Sequence, residues 1–260
     1  MRNDLKYLYG PVPSWRLGSS LGIDLLSRDE KVCSFDCIYC QLGRNDVKQT
    51  ARSIFVPVRD MVREIDSLPD VNIDYLTFSG RGEPTLASNL GEAITALKII
   101  RKEKVAVITN SSLITMDEVQ RDLLAADFVI AKLDAATEDV FAAMNRPAEG
   151  LHLQDIVDAL IDFRKMFPRK LALQVMFTAV NREWAPRIAD IACSIGPDEV
   201  QLNTPLRPCG EKPLSAKDLQ LIKTFFDRQG LYSVDVYSAG KKKVSPISDS
   251  DTLRRRGKEA

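Results

Sequence analysis

The feature that most constrains this chain is an alternation of short apolar, β-branched runs with stretches of helical periodicity. Residues 18–26, 73–79, 105–109, 128–133, 171–180 and 199–203 read as strands. Between them, apolar residues recur on one helix face: Met61, Val62, Ile65 and Leu68; Leu90, Ile94, Leu97 and Ile100; Val119, Leu123 and Leu124; Ile156, Val157, Leu160, Ile161 and Phe163; Ile188, Ile191 and Ala192. Thr115 with Glu118 carries the signature of a capping box ahead of the third of these helices. Strands alternating with helices predict an α/β fold with a parallel sheet and right-handed crossovers. Six units are too few for a closed eight-stranded barrel, which leaves an open partial barrel or a doubly wound sheet. After residue 203 the pattern changes. Pro205, Pro208 and Pro213 break regular structure, Ser215 caps a helix carrying Leu219, Ile222, Phe225 and Phe226, and a short strand is expected over 232–237. The expected division is a core of residues 1–205 and a C-terminal extension of residues 206–260 with a helix and a basic tail.

Composition excludes several classes. Lys plus Arg and Asp plus Glu are both 36, so no overall charge draws the chain to nucleic acid or a membrane. No run of apolar residues is long enough to span a bilayer. The start, Met1-Arg2-Asn3-Asp4-Leu5, does not read as a secretory signal, so a cytoplasmic location with reduced thiols is expected. Of the five cysteines, Cys33, Cys37 and Cys40 fall within eight residues, which points to metal rather than a disulfide framework.

These three follow the first expected strand directly, in Cys33-Ser34-Phe35-Asp36-Cys37-Ile38-Tyr39-Cys40. Loops at the C-terminal ends of barrel strands are where catalytic groups collect. Spacings of four and three let a loop wrap one small object and aim three sulfurs at it. A closed iron–sulfur site takes four thiolates, so three leave one iron open for chemistry. A structural zinc site is the alternative, with His152, Cys193 or Cys209 as a distant fourth ligand. A redox pair at Cys37 and Cys40 would leave Cys33 without a role.

The cysteine motif, with Tyr39 before its last member, resembles that of the radical S-adenosylmethionine (radical SAM) superfamily. The resemblance spans roughly residues 12 to 206. It implies a partial (β/α)6 TIM-like barrel, a [4Fe–4S] cluster on Cys33, Cys37 and Cys40, and S-adenosyl-L-methionine chelated to the open iron. It further implies cleavage of that molecule to a 5′-deoxyadenosyl radical, which abstracts hydrogen from a substrate, and an electron donor such as flavodoxin or ferredoxin. Ser79-Gly80-Arg81-Gly82-Glu83-Pro84 is similar to the family's Gly-Gly-Glu-Pro turn, with Arg81 inserted between the glycines. There a glycine carbonyl of Gly80 or Gly82, with the Glu83 carboxylate, is expected to receive the methionyl ammonium. By the same resemblance Tyr39 packs near the adenine, Lys132 pairs with the cofactor carboxylate, and Asn110 and Asp134 hold ribose or substrate. Met176 and Thr178 lie where the family contacts adenine, although core packing is the favoured expectation for both. Asn145-Arg146-Pro147 and Asn181 are lesser candidates. Asn203, Arg207 and Cys209, near the last strand, are candidates for shaping a substrate pocket.

Cys193, within an apolar helix face, is expected in the core. With only Cys193 and Cys209 left over, a second cluster is not expected. Gly10-Pro11-Val12-Pro13-Ser14 and Gly22-Ile23-Asp24 are similar to uncharacterised proteins related to the wyosine-base synthases of transfer RNA, but no cysteine precedes Cys33 as in those synthases. The tail sets Lys241, Lys242, Lys243, Arg254, Arg255, Arg256 and Lys258 against Asp249, Asp251 and Glu259, and is expected to be solvated and partly disordered, with RNA contact as the alternative. Two other functions remain open: an activase that places a glycyl radical on a partner protein, and a non-catalytic metal-binding module that contacts RNA or protein.

Overall fold

A computed structural model describes residues 5–256. Eight strands form one sheet in the order of the chain: β1 (Leu8–Ser14), β2 (Gly18–Ile23), β3 (Tyr75–Phe78), β4 (Lys104–Thr109), β5 (Phe128–Lys132), β6 (Lys170–Met176), β7 (Glu199–Asn203) and β8 (Ser233–Asp235). β1 runs antiparallel to β2, and every later pair is parallel. The crossovers carry α1 (Val58–Asp66), α2 (Leu90–Ile100), α3 (Asp117–Leu123), α4 (Glu138–Asn145), α5 (Leu153–Met166), α6 (Ala185–Ile195) and α7 (Ala216–Arg228), and α8 (Asp249–Arg256) follows β8. The sheet curls into a half-barrel, the partial TIM-like form expected.

Alternation along each strand builds two layers. Leu171, Leu173 and Val175 of β6 join Val200 and Leu202 of β7 in the large core under the helices, while Ala172 turns inward with Leu17, Ala106, Phe128 and Ile130. Each fully buried leucine or phenylalanine contributes about 1.5–3 kcal/mol. Toward the other end the inner face becomes polar. Register places Lys132 beside Gln174, and Gln174 beside Gln201.

Several expectations need correction. β1 was not foreseen, because Pro11 and Pro13 mask a strand that only an edge position tolerates. The first expected strand ends at Ile23 rather than residue 26, since the Asp24 side chain takes the N–H groups of Leu26 and Ser27 and turns the chain. Thr115 does not cap α3; Met116 holds that position without a side-chain bond. By contrast, Ser215 and Asp218 form a full capping box on α7. α4 went unrecognised, although Thr137 caps it by accepting the Val140 N–H. Cys193 is exposed on α6, not buried, because the apolar face runs through Ile188, Ala189 and Ala192.

The tail differs most. Residues 249–256 are helical, and Arg255, expected in solvent, is among the most buried large side chains at 2% exposure. Ile247 donates to the Gly10 carbonyl, Leu5 donates to Asp251, and Lys242 pairs with Asp74, so the tail is fastened to β1 and to the entry of β3. Lys258 and Glu259 lie outside the described residues, as do the first four residues. No helix among the described residues is long and apolar enough to cross a membrane.

Candidate metal and cofactor site

The three clustered cysteines lie on the long connection between β2 and α1, residues 24–57, which has no helix. Backbone contacts with the next strand end fix one side of it. Val32 donates to the Arg81 carbonyl at 3.0 Å and accepts from Glu83 at 2.9 Å, a parallel bridge centred on Gly82. A methyl group on Gly82 would sit 1.6 Å from the Val32 carbonyl oxygen, so only glycine permits this approach. The other side is pinned to the end of α4, where the N–H of Asp36 reaches Asn145 and that of Ile38 reaches Met144. Asn45 closes the loop from within: its amide donates to the carbonyls of Cys33 at 2.7 Å and Phe35 at 3.1 Å, and its N–H reaches Asp36 at 2.7 Å.

Cys33 is buried, and Cys37 and Cys40 are half-buried. Carboxamide N–H groups face two of the sulfurs, Asn110 toward Cys33 and Asn145 toward Cys37, both at 3.5 Å. Burial pushes the Cys33 thiol up to about 12 and raises that of Cys37 as well, against the opposing pull of Lys132. As metal ligands these sulfurs would be thiolates, and a bound metal would add to the cation of Lys132 in offsetting their burial. Among the described residues, no three His, Cys, Asp or Glu side chains are gathered on a point that would hold a single metal ion. A four-iron cube takes thiolates at separate corners, and a loop carrying three cysteines with amide donors to the sulfurs fits it.

Glu83 is 1% exposed, and burial raises its pKa despite four donors. Oε1 accepts from the Thr85 N–H and from the hydroxyls of Thr85 and Thr109, and Oε2 accepts from the Asn110 N–H at 2.6 Å. The carboxylate therefore ties the ends of β3 and β4 together, and only Oε2 retains room for a further donor. Gly80, at φ +140°, packs against the Asp24 side chain. Gly82 is needed for its contact with Val32, a reason the sequence did not reveal. Asn110 is held by the Ser112 N–H and itself donates to Ser34 at 2.9 Å.

Asp134 is a second buried hub. It accepts from the Tyr39 hydroxyl, from Asn145 at 2.9 Å and from the Met176 N–H at 2.8 Å, with Lys132 at 3.5 Å. Lys132 also lies 4.7 Å from the centre of the Tyr39 ring. With its carboxylate so engaged, Asp134 positions Tyr39, Asn145 and Lys132 around Cys37. Asn145, a lesser candidate in the sequence, thus touches Cys37, Tyr39 and Asp134. Nothing in its local pattern signalled this, since the contacts come from residues distant in the chain.

The remaining candidates separate. Thr178 lies beyond β6 and is fully buried; its hydroxyl contacts the Met144 sulfur and it takes the Val180 N–H. Met176, half-buried at the end of β6, does reach the strand ends. Asn181 is buried and bridges the carbonyls of Asp134 and Met176. Asn203 is half-buried at the end of β7, with Oδ1 on the Thr204 N–H. Arg207 donates to Gln41 of the cysteine loop at 2.6 Å. Cys209 faces the Glu211 carbonyl, and Gly210 approaches that of Ile38, so residues 207–211 lie against the cysteine loop.

Comparison with known proteins agrees with this geometry. The family model of the Radical SAM superfamily matches residues 31–192. A UPF0026 protein of Synechocystis is 38% identical over 218 residues, covering 82% of this chain and 80% of that one. A protein of Brachyspira hyodysenteriae named GTPase Obg is 37% identical over 95% of this chain, which spans only 38% of it. Among solved structures, a radical SAM methyltransferase from Sphaerobacter thermophilus superposes with a TM-score of 0.64 at 13% identity, covering 92% of this chain and 70% of that one.

Proposed function

Because the chain belongs to the radical SAM superfamily, we propose that it is an enzyme in which Cys33, Cys37 and Cys40 hold a [4Fe–4S] cluster beside bound S-adenosyl-L-methionine. When bound, this pair supplies one-electron cleavage of the sulfonium bond and a 5′-deoxyadenosyl radical that takes hydrogen from a substrate. The rest of the work falls to the chain. Asn110 and Asn145 donate to two sulfurs and stabilise them as thiolates. Glu83 ties the end of the Gly80–Gly82 turn to β4, and there the carbonyl of Gly80 or Gly82 would receive an ammonium, with Oε2 as a further acceptor. Lys132 supplies a cation for a carboxylate, held by Asp134 and the Tyr39 ring. Asn203, Arg207 and Cys209 stand toward the substrate side, and the substrate is unassigned. A small acidic electron carrier of the flavodoxin or ferredoxin kind would supply the electron.

The observation that carries this reading is the fastening of the cysteine loop to the Gly82-Glu83 turn through Val32, which brings the two motifs together. Metal and sulfide analysis after anaerobic reconstitution tests it. About four iron and four sulfide per chain are expected. One zinc per chain would instead support a non-catalytic binding module. Neither the GTPase activity in the name of the Brachyspira relative nor a wyosine-related activity is carried over, because this chain spans a minor part of the former and no relative reported above supports the latter. Activation of a partner protein has no observation in its favour.

A further inference from the structure

Arg81 interrupts the expected glycine pair, and the tail helix was expected in solvent; the structure joins these two departures. The Arg81 guanidinium donates to the Arg254 carbonyl of α8 at 2.9 Å and to the Asp29 carbonyl at the start of the cysteine loop. One residue along α8, Arg255 enters the interior and pairs with Asp24 at 3.6 Å, each side chain 1% exposed. Its guanidinium also donates to the carbonyls of Leu5 and Lys6. Asp24 in turn accepts from Leu26 and Ser27, faces the Arg81 backbone N–H, and fills the space beside Gly80 where a Cβ would stand. The cysteine loop, the Gly80–Gly82 turn and α8 therefore meet at one carboxylate.

We propose that α8 is a positioning element of the cofactor site: Arg255 acts through Asp24, and the Arg81 guanidinium acts through the Arg254 and Asp29 carbonyls, to hold the Gly80–Gly82 turn in the form that receives S-adenosylmethionine. This rests on the radical SAM reading for the identity of the ligand, but not for the coupling itself. The chemistry suits such a role. A buried ion pair has one favoured geometry, and a guanidinium spanning two carbonyls fixes the distance between them. Arg81 is the residue that can be cut without opening the core, since its side chain is half-buried and both of its carbonyl contacts are solvent-exposed.

The experiment uses the full chain with Arg81→Ala and Arg81→Lys. Hydrogen exchange of the metal-free protein is followed at residues 79–83 and 24–31, with residues 128–132 as the internal reference. Binding of S-adenosylmethionine to the reconstituted protein is followed by the change in the electron paramagnetic resonance signal of the reduced cluster. Arg81→Ala is expected to raise exchange at least fivefold at residues 79–83 and 24–31, but not at 128–132. It is expected to weaken cofactor binding at least fivefold with iron and sulfide content unchanged. Arg81→Lys, whose ammonium cannot span both carbonyls, is expected to fall between. Exchange at 79–83 within twofold of the parent in both variants overturns the proposal, whatever happens to thermal stability. So does unchanged cofactor affinity. If the parent protein itself binds no cluster, the radical SAM reading fails, and the exchange data still decide whether α8 holds the turn.

Discussion

The cysteine loop and the C-terminal tail are both segments outside the strand–helix repeat, and they are built in opposite ways. The loop at residues 24–57 is held largely by backbone bonds and by the Asn45 amide, with Asn45 bonding the carbonyls of Cys33 and Phe35, and the Val32 backbone bonding across Gly82. The tail is held by charge. Arg255 pairs with Asp24, Asp251 takes the Leu5 N–H, and Lys242 pairs with Asp74. Charge reaches the loop mainly at its margins, where Asp36 pairs with Lys31 and Arg146, and Arg52 pairs with Asp122. The tail, whose apolar residues are few, gains order mainly where a charge is desolvated and paired.

Substitutions can break each side of this contrast. The largest effect is expected from Cys37→Ala, which removes a ligand without touching the fastening of the loop. Cluster binding should be lost outright, read as loss of the iron and sulfide of the reconstituted protein, while the metal-free fold melts near the parent temperature. Arg255→Met leaves the Asp24 carboxylate buried without its partner. A loss of about 3–5 kcal/mol in denaturant unfolding is expected, as when one member of a buried pair is removed. Gly82→Ala places a methyl against the Val32 carbonyl and should cost about 1–3 kcal/mol as the loop shifts. That shift should also lower cluster retention, although no ligand has changed.

The smallest effect separates exposed from buried charge in the tail. Asp74 has its pKa lowered, first by its bond with Lys242 and then by the Ser19 N–H. A lowered carboxylate pKa adds stability that is present above the unfolded value of 3.8 and lost as pH falls through the folded one. Lys242→Ala should therefore cost no more than about 1 kcal/mol at neutral pH, because Lys242 is largely exposed. The difference from the parent should shrink as pH falls below 3.8 and vanish once it passes the folded value. Denaturant curves at neutral and acid pH check this, and a difference that persists in acid would mean that Lys242 acts by packing instead.

How far the sequence disclosed this molecule follows from the range of each interaction. The parallel strands were legible because alternation and helical periodicity are local patterns. β1 was hidden by Pro11 and Pro13, which lower strand propensity wherever they occur, and only an antiparallel edge partner makes the segment a strand. The cysteine spacing and the Gly82-Glu83 turn were legible as motifs. Their physical reasons were not, since the contact of Gly82 with Val32 joins segments far apart in the chain. Asn145 and Arg255 were underrated for the same cause. Each has its meaning from a partner more than a hundred residues away, Cys37 for one and Asp24 for the other. Thr178 is buried, in keeping with the core packing favoured for it from sequence.

The most direct test of the central claim is anaerobic: the reconstituted protein is reduced with dithionite in the presence of S-adenosylmethionine, and 5′-deoxyadenosine and methionine are quantified. Formation of both products by the parent protein, and of neither by Cys37→Ala, is the predicted result. A parent protein that carries a full [4Fe–4S] cluster, binds S-adenosylmethionine and yet leaves it intact under reduction, or a Cys37→Ala variant that cleaves it equally well, would contradict the account.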